Sequence, residues 1–228
     1  GWTCGSSIDA SFHGAGSLGL RAGMMAWRGQ VGAALLHPLC KPFVAVVLLL
    51  PLVALVWGAV QDTLGANPAE TLIRNSGEMT LRCLLLTLAV TPLREGTGVA
   101  AFARLRRMLG LLTFTWALLH LLAYSWLDMG FYLDDILRDV GKRPFILVGT
   151  LALLLMVPLA MTSFNAAIRA IGAARWKLLH RAVYAVGLLA ILHFFWMRSG
   201  KQNFGEVTVY GAVLAVLLGW RVRRLFAK

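Results

Sequence analysis

The chain has 228 residues, of which 59% are hydrophobic and only 14% charged, and its net charge is +12. Ordinary globular domains are roughly a quarter charged, so this balance excludes a water-soluble domain as the bulk of the chain. The three cysteines, Cys4, Cys40 and Cys83, make neither a CxxC pair nor a CxxCH, which leaves no disulfide framework, zinc knuckle or covalent haem-attachment motif to read.

In chain order, residues 1–42 come first, rich in Gly and Ser and starting at Gly1. They lack the charged, apolar and small-residue order of a cleaved signal peptide. This stretch reads as a flexible tail, with Met24 or Met25 the expected native start. Six apolar runs follow: Phe43–Val60, Met79–Leu93, Met108–Leu127, Phe145–Ser163, Ala182–Met197 and Val207–Trp220. A spanning helix needs about 20 mostly apolar residues, and lipid cannot satisfy free backbone donors and acceptors. The runs are continuous, where a membrane β-barrel would show short alternating segments. The expected fold is therefore an all-α integral membrane protein, a six-transmembrane-helix bundle, whose first partner is the lipid bilayer.

Lys and Arg in short loops set orientation. With a cytoplasmic N-terminus, Arg21, Arg28 and Lys41 lie inside, as do Arg94, Arg104, Arg106 and Arg107. Arg169, Arg175, Lys177 and Arg181 join them, followed by Arg221, Arg223, Arg224 and Lys228. Outside fall only Arg74, Arg138, Lys142, Arg143, Arg198 and Lys201. Both termini are expected to be cytoplasmic. The positive charge is then orientation charge, and no nucleic-acid partner is expected.

Three of the five histidines, His120, His180 and His193, fall in or at the edge of spans, where an ionisable group is costly and each is a functional candidate. His120 is twelve residues past Met108 and His193 twelve past Arg181, on helices running the same way. At the usual helical rise both imidazoles lie about 18 Å into the membrane. Two neutral imidazoles at one level suit six-coordinate haem iron, whereas zinc would recruit further Cys, Asp or Glu. The alternative for each is a neutral core histidine bonded to a carbonyl.

His180, in RWKLLHRAVY, precedes His193 by thirteen residues. On an ideal helix the two point about 140° apart, so a kink or π-bulge is needed to aim both at one cavity. His180 reads as a second redox position near the inner face or as an interfacial histidine. Arg82, inside the second run, either snorkels to the interface or pairs with a haem propionate. Trp116 and its aromatic neighbours suit a macrocycle pocket or ordinary core packing.

The segments RRMLGLLTFTWALLHLLAY (106–124), RPFILVGTLALLLMVPLAMTS (143–163) and RWKLLHRAVYAVGLLAILHFFW (175–196) closely resemble the MsrQ family. NPAETLIRNSGEMTLRCLLLTLAVTPL (67–93) fits it too. That family holds the haem-binding membrane subunits of periplasmic methionine-sulfoxide reductase systems, within the ferric reductase-like transmembrane superfamily. The resemblance covers residues 43–225, which form one haem-binding transmembrane domain on this reading. It implies an inner-membrane electron-transfer subunit carrying haem b, one or two, rather than a catalyst in its own right. The implied acceptor is a periplasmic molybdopterin-dependent methionine-sulfoxide reductase, which repairs oxidised envelope proteins. The implied donor is the quinol pool or a cytosolic flavin reductase, and family members can carry FMN. His120, His180 and His193 occupy the family's histidine positions.

One departure stands out. Two-haem relatives carry histidines fourteen apart on the third helix, and fourteen before His120 stands Arg106. The inner position thus takes a non-histidine ligand, a flavin or a quinone, or holds no haem. With no flavin or nicotinamide domain in the sequence, an external electron donor is expected. Two other readings stay open at this point: a stand-alone transmembrane ferric reductase, and a non-redox transporter or scaffold bundle. Intact-mass measurement of the native protein is expected to find a chain that begins at Met24 or Met25, and a mass including residues 1–23 would refute that start.

Overall fold

In the computed structural model, residues 9–200, 202 and 204–226 are described, with side chains from residue 23 onward apart from residue 225. The described chain is all-helical, with no strand. Ten helices run α1 (Asp9–Leu36), α2 (Cys40–Val60), α3 (Pro68–Thr97), α4 (Arg106–Ala123) and α5 (Leu133–Lys142), then α6 (Pro144–Met161), α7 (Asn165–Ile171), α8 (Ala173–His180), α9 (Ala182–Ser199) and α10 (Gly205–Phe226). A 3₁₀ segment, Ala100–Leu105, leads into α4, and one π-helical turn, Tyr124–Asp128, ends it. Residues 1–8 of the stretch read as a tail lie outside the described residues. From Asp9 to Leu36 the backbone is helical, and Arg104 Nη1 donates to the Leu36 carbonyl at 2.7 Å.

Among the described residues, five segments are long and apolar enough to cross a membrane: Cys40–Val60, Ala100–Asp128, Pro144–Met161, Ala173–Ser199 and Gly205–Arg224. The sequence reading expected six. The odd one out, Met79–Leu93, belongs to α3, whose 30 residues include Glu70, Arg74, Glu78, Arg82, Arg94 and Glu95. Its place in the bundle explains the charge. α3 packs most extensively on α4, also touches α2, α9 and α10, and carries the buried residues Leu81, Cys83, Leu84, Leu85 and Leu88. α6 pairs with α9, and Met156, Val186, Phe194 and Leu214 close the main core around the α3 leucines. α2, by contrast, leaves Phe43, Val53, Trp57 and Val60 exposed, the inside-out pattern of a helix whose apolar face meets lipid.

Local chemistry sets the ends of α3. Asn67 is its N-cap and accepts from the Glu70 N–H at 3.1 Å, with Pro68 at the first helical position, where a missing N–H costs nothing. Gly98 closes it in the left-handed region at φ 74°, a conformation that glycine adopts without penalty. The long span of residues 173–199 is broken at Arg181 between α8 and α9, where the Tyr184 N–H bonds back three residues to the Arg181 carbonyl. This break falls between His180 and His193. Replacing the α3 cap, Asn67→Ala, is expected to cost about 1 kcal/mol, read as a lowered thermal midpoint of the protein in nanodiscs.

Candidate functional site

α4 and α9 each bring one histidine to the same level. The ring centres of His120 and His193 are 6.1 Å apart and their planes cross at 79°. His120 Nδ1 lies 2.9 Å from the Ile73 carbonyl oxygen of α3, and His193 Nδ1 lies 2.6 Å from the Phe145 carbonyl oxygen of α6. A carbonyl only accepts, so in each ring Nδ1 carries the proton and Nε2 keeps its lone pair.

Both contacts share one local device. Four residues after Ile73 stands Gly77, and four after Phe145 stands Gly149. In a helix the side chain at i+4 leans back over the turn that holds the carbonyl of residue i. Glycine at that place uncovers the carbonyl for an outside donor. A Cβ built on Gly77 would come within 3.0 Å of His120 Cε1, and one on Gly149 within 2.8 Å of His193 Nδ1. Each imidazole therefore rests on bare backbone. Ser76 Oγ adds a contact to His120 Nδ1 at 3.4 Å.

This geometry can accept one metal ion between the rings. Metal–nitrogen bonds of roughly 2 Å, plus about 1 Å from each ring nitrogen to its centre, place two opposed imidazole centres about 6 Å apart. Among the described residues no group of three or more His, Cys, Asp or Glu could hold a metal. A two-histidine site of this kind suits a metal whose other positions a macrocycle fills.

The remaining sequence candidates are elsewhere. His180 stacks on Trp176 at 3.9 Å between ring centres and bonds through Nδ1 to the Trp176 carbonyl at 3.1 Å. Both line a separate cavity of about 220 Å³ together with Arg106, Arg107, Thr87 and Thr113. Trp116 is fully buried against Met79 and Cys83 and donates through Nε1 to the Leu48 carbonyl of α2 at 3.2 Å, so its indole is turned toward α2. Arg82 has its side chain half exposed; it donates to Tyr210 Oη at 2.8 Å and to Glu78 at 3.2 Å.

Sequence reasoning missed the two glycines, whose signal was the i, i+4 spacing from a carbonyl that no pattern marks. It also counted Arg198 among loop charges. Arg198 is 2% exposed and pairs with Glu78 at 3.4 Å and with Glu206. Its guanidinium lies over the Phe194 ring. That ion network ties α3, which seats His120, to α9, which carries His193.

The family described as "Ferric reductase like transmembrane component" matches residues 76–191, a stretch that holds Gly77, His120 and Gly149 and ends two residues before His193. Relatives match over most of the chain and carry the name protein-methionine-sulfoxide reductase heme-binding subunit MsrQ. The one from Polaromonas naphthalenivorans is 57% identical, covering 90% of this chain and 94% of its own. The chain belongs to the MsrQ family. Members from Bordetella pertussis, 54% identical over 80% of this chain and 88% of theirs, and from Xanthomonas campestris pv. campestris, 48% identical over 73% and 76%, carry the same name. No solved structure matches the chain. Family membership and the five apolar segments together make this a multi-pass membrane protein.

Because Gly77 and Gly149 lie against the rings, Gly149→Ala is expected to cost about 1–3 kcal/mol as an overpacked contact. Gly77→Ala, with its slightly longer approach, is expected to cost less. Thermal midpoints of the two variants check the order.

Proposed function

We propose that this chain is the haem-binding electron-transfer subunit of a protein-methionine-sulfoxide reductase, in which His120 and His193 would hold a b-type haem. The observation that carries the reading is the His120–His193 pair, 6.1 Å apart with both Nδ1 atoms engaged by carbonyls. The names of the relatives support it. Haem, when bound, supplies reversible one-electron chemistry at iron. The chain's residues do the rest. The Ile73 and Phe145 carbonyls fix the tautomer and aim of each ring and raise its basicity. Gly77 and Gly149 let the rings reach those carbonyls. The absence of CxxCH favours non-covalent binding.

On this reading α3 is the sixth span, its charges sheltered by neighbouring helices, and both termini lie in the cytoplasm as the loop charges favour. The membrane is the bacterial inner membrane. Electrons enter at the cytoplasmic end, from the quinol pool or a cytosolic flavin reductase. The cavity lined by His180, Trp176, Arg106 and Arg107 is the entry position. Its two guanidinium groups fit a phosphate such as that of FMN, and its one histidine would serve a second haem only beside a ligand of another type. Electrons leave at the opposite end for a periplasmic molybdenum-cofactor subunit that reduces methionine sulfoxide in oxidised proteins.

Absorption spectra before and after dithionite test the proposal. The purified protein is expected to give a low-spin, six-coordinate b-type signal, and His120→Ala and His193→Ala are each expected to abolish it. A colourless protein, or full six-coordinate haem in both variants, would overturn the assignment. Iron reduction by the purified chain without a partner would instead favour the stand-alone ferric reductase.

A further inference from the structure

The His120 ring has a short covalent route out of the bundle. Its Nδ1–H donates to the Ile73 carbonyl at 2.9 Å, and that carbonyl carbon is bonded to the backbone nitrogen of Arg74. One hydrogen bond and one peptide bond thus separate the imidazole from Arg74. Arg74 lines a polar cavity of about 480 Å³, with Asn67, Glu70, Thr71, Asn75 and Glu78. These residues occupy the side of α3 turned away from Ser76 and Gly77, which touch His120. Ring and cavity are on two sides of the same turns of one helix, a body about 10 Å across.

The location suits a soluble protein rather than lipid. At 30 residues α3 is about 45 Å long, against a hydrocarbon core of about 30 Å, so its polar first turns extend beyond the apolar layer. The equivalent route from His193 passes through the Phe145 carbonyl to Ile146 and reaches the exposed Leu147, an apolar surface. The acidic segment at α5 exposes Asp134, Asp135 and Arg138 beside Leu133 and Leu137, but its Asp139 is held by Tyr124 at 2.7 Å and Arg143 at 2.9 Å, and His120 and His193 bond to Ile73 and Phe145 and not to it.

We infer that the polar cavity at the start of α3 is the docking and electron-exit site for the water-soluble reductase partner, reached from His120 through Ile73 and Arg74. The inference rests on the electron-transfer reading above. A haem held by the histidine pair would supply the single electron and the partner's redox cofactor would accept it, with no bond made or broken.

The test uses the full-length protein in nanodiscs with its sulfoxide-reductase partner. Photo-reactive benzoylphenylalanine in place of Arg74 is expected to crosslink to the partner, and the same group in place of Val216, on the exposed side of α10, is not. This readout needs no haem. In stopped flow, Arg74→Glu and Asn75→Trp are expected to slow oxidation of the dithionite-reduced protein by the partner at least about tenfold. Their absorption spectra and their oxidation by ferricyanide are expected to stay as in the unmodified chain. Unchanged rates with the partner in both variants, or crosslinking at α5 and not at position 74, would overturn the inference. If the unmodified protein passes no electrons to the partner at all, the electron-transfer reading itself falls.

Discussion

An imidazole on a flexible two-torsion stem is aimed only when one of its nitrogens is held, and here the holder is a helical carbonyl already committed to its own helix. The site depends on making that carbonyl available. Glycine four residues on does this twice, Gly77 for Ile73 and Gly149 for Phe145, and the bundle supplies the rest. α4 crosses α3 and α9 crosses α6 closely enough for each ring to land on its glycine. Moving either helix by one turn would slide the ring past the uncovered carbonyl and onto side chains. The pairing of α3 with α4 and of α6 with α9 is therefore the framework of the site as well as the bulk of the core.

The same helix that seats His120 is the most polar of the long ones, and the two facts are connected. α3 packs on α4, α2, α9 and α10, so its Glu78 and Arg82 find partners on neighbouring helices. Those charges are not left bare. Glu78, Arg82, Arg198, Glu206 and Tyr210 bond among themselves across α3, α9 and α10. Breaking a buried pair by removing one partner is far more costly than replacing both, which makes the network a strong determinant of how those helices pack beside the histidines.

Much of this was legible in the residues. Counting from the N-terminal ends of two apolar runs placed His120 and His193 at one level, because helical rise is nearly constant. Angular arithmetic asked for a kink or π-bulge to aim His180 and His193 at one cavity; the chain has an interruption at Arg181, but His180 lines a separate cavity. The glycines were not legible, since nothing in the chain reveals which neighbouring helix a given ring will touch. Arg198 was misplaced because it directly follows an apolar run, where a guanidinium in water and one in a buried ion pair look alike. The expected sixth span was read from Met79–Leu93 alone, without the charges at either end that distinguish α3 from the five apolar segments. Trp116 looked like a pocket residue because it stands one turn before His120 on the same helix, and nothing in the sequence marked the Leu48 carbonyl of α2 to which its indole donates.

The interruption at Arg181 also shapes what can vary. α8 and α9 meet at Arg181, where the Tyr184 N–H bonds to the Arg181 carbonyl three residues back. Insertions, substitutions or a different ligand at the α8 end can be absorbed in that joint without rotating the ring held by Phe145. A single apolar segment thus carries two histidines in different surroundings, His180 in the cavity with Arg106 and Arg107 and His193 on the Phe145 carbonyl.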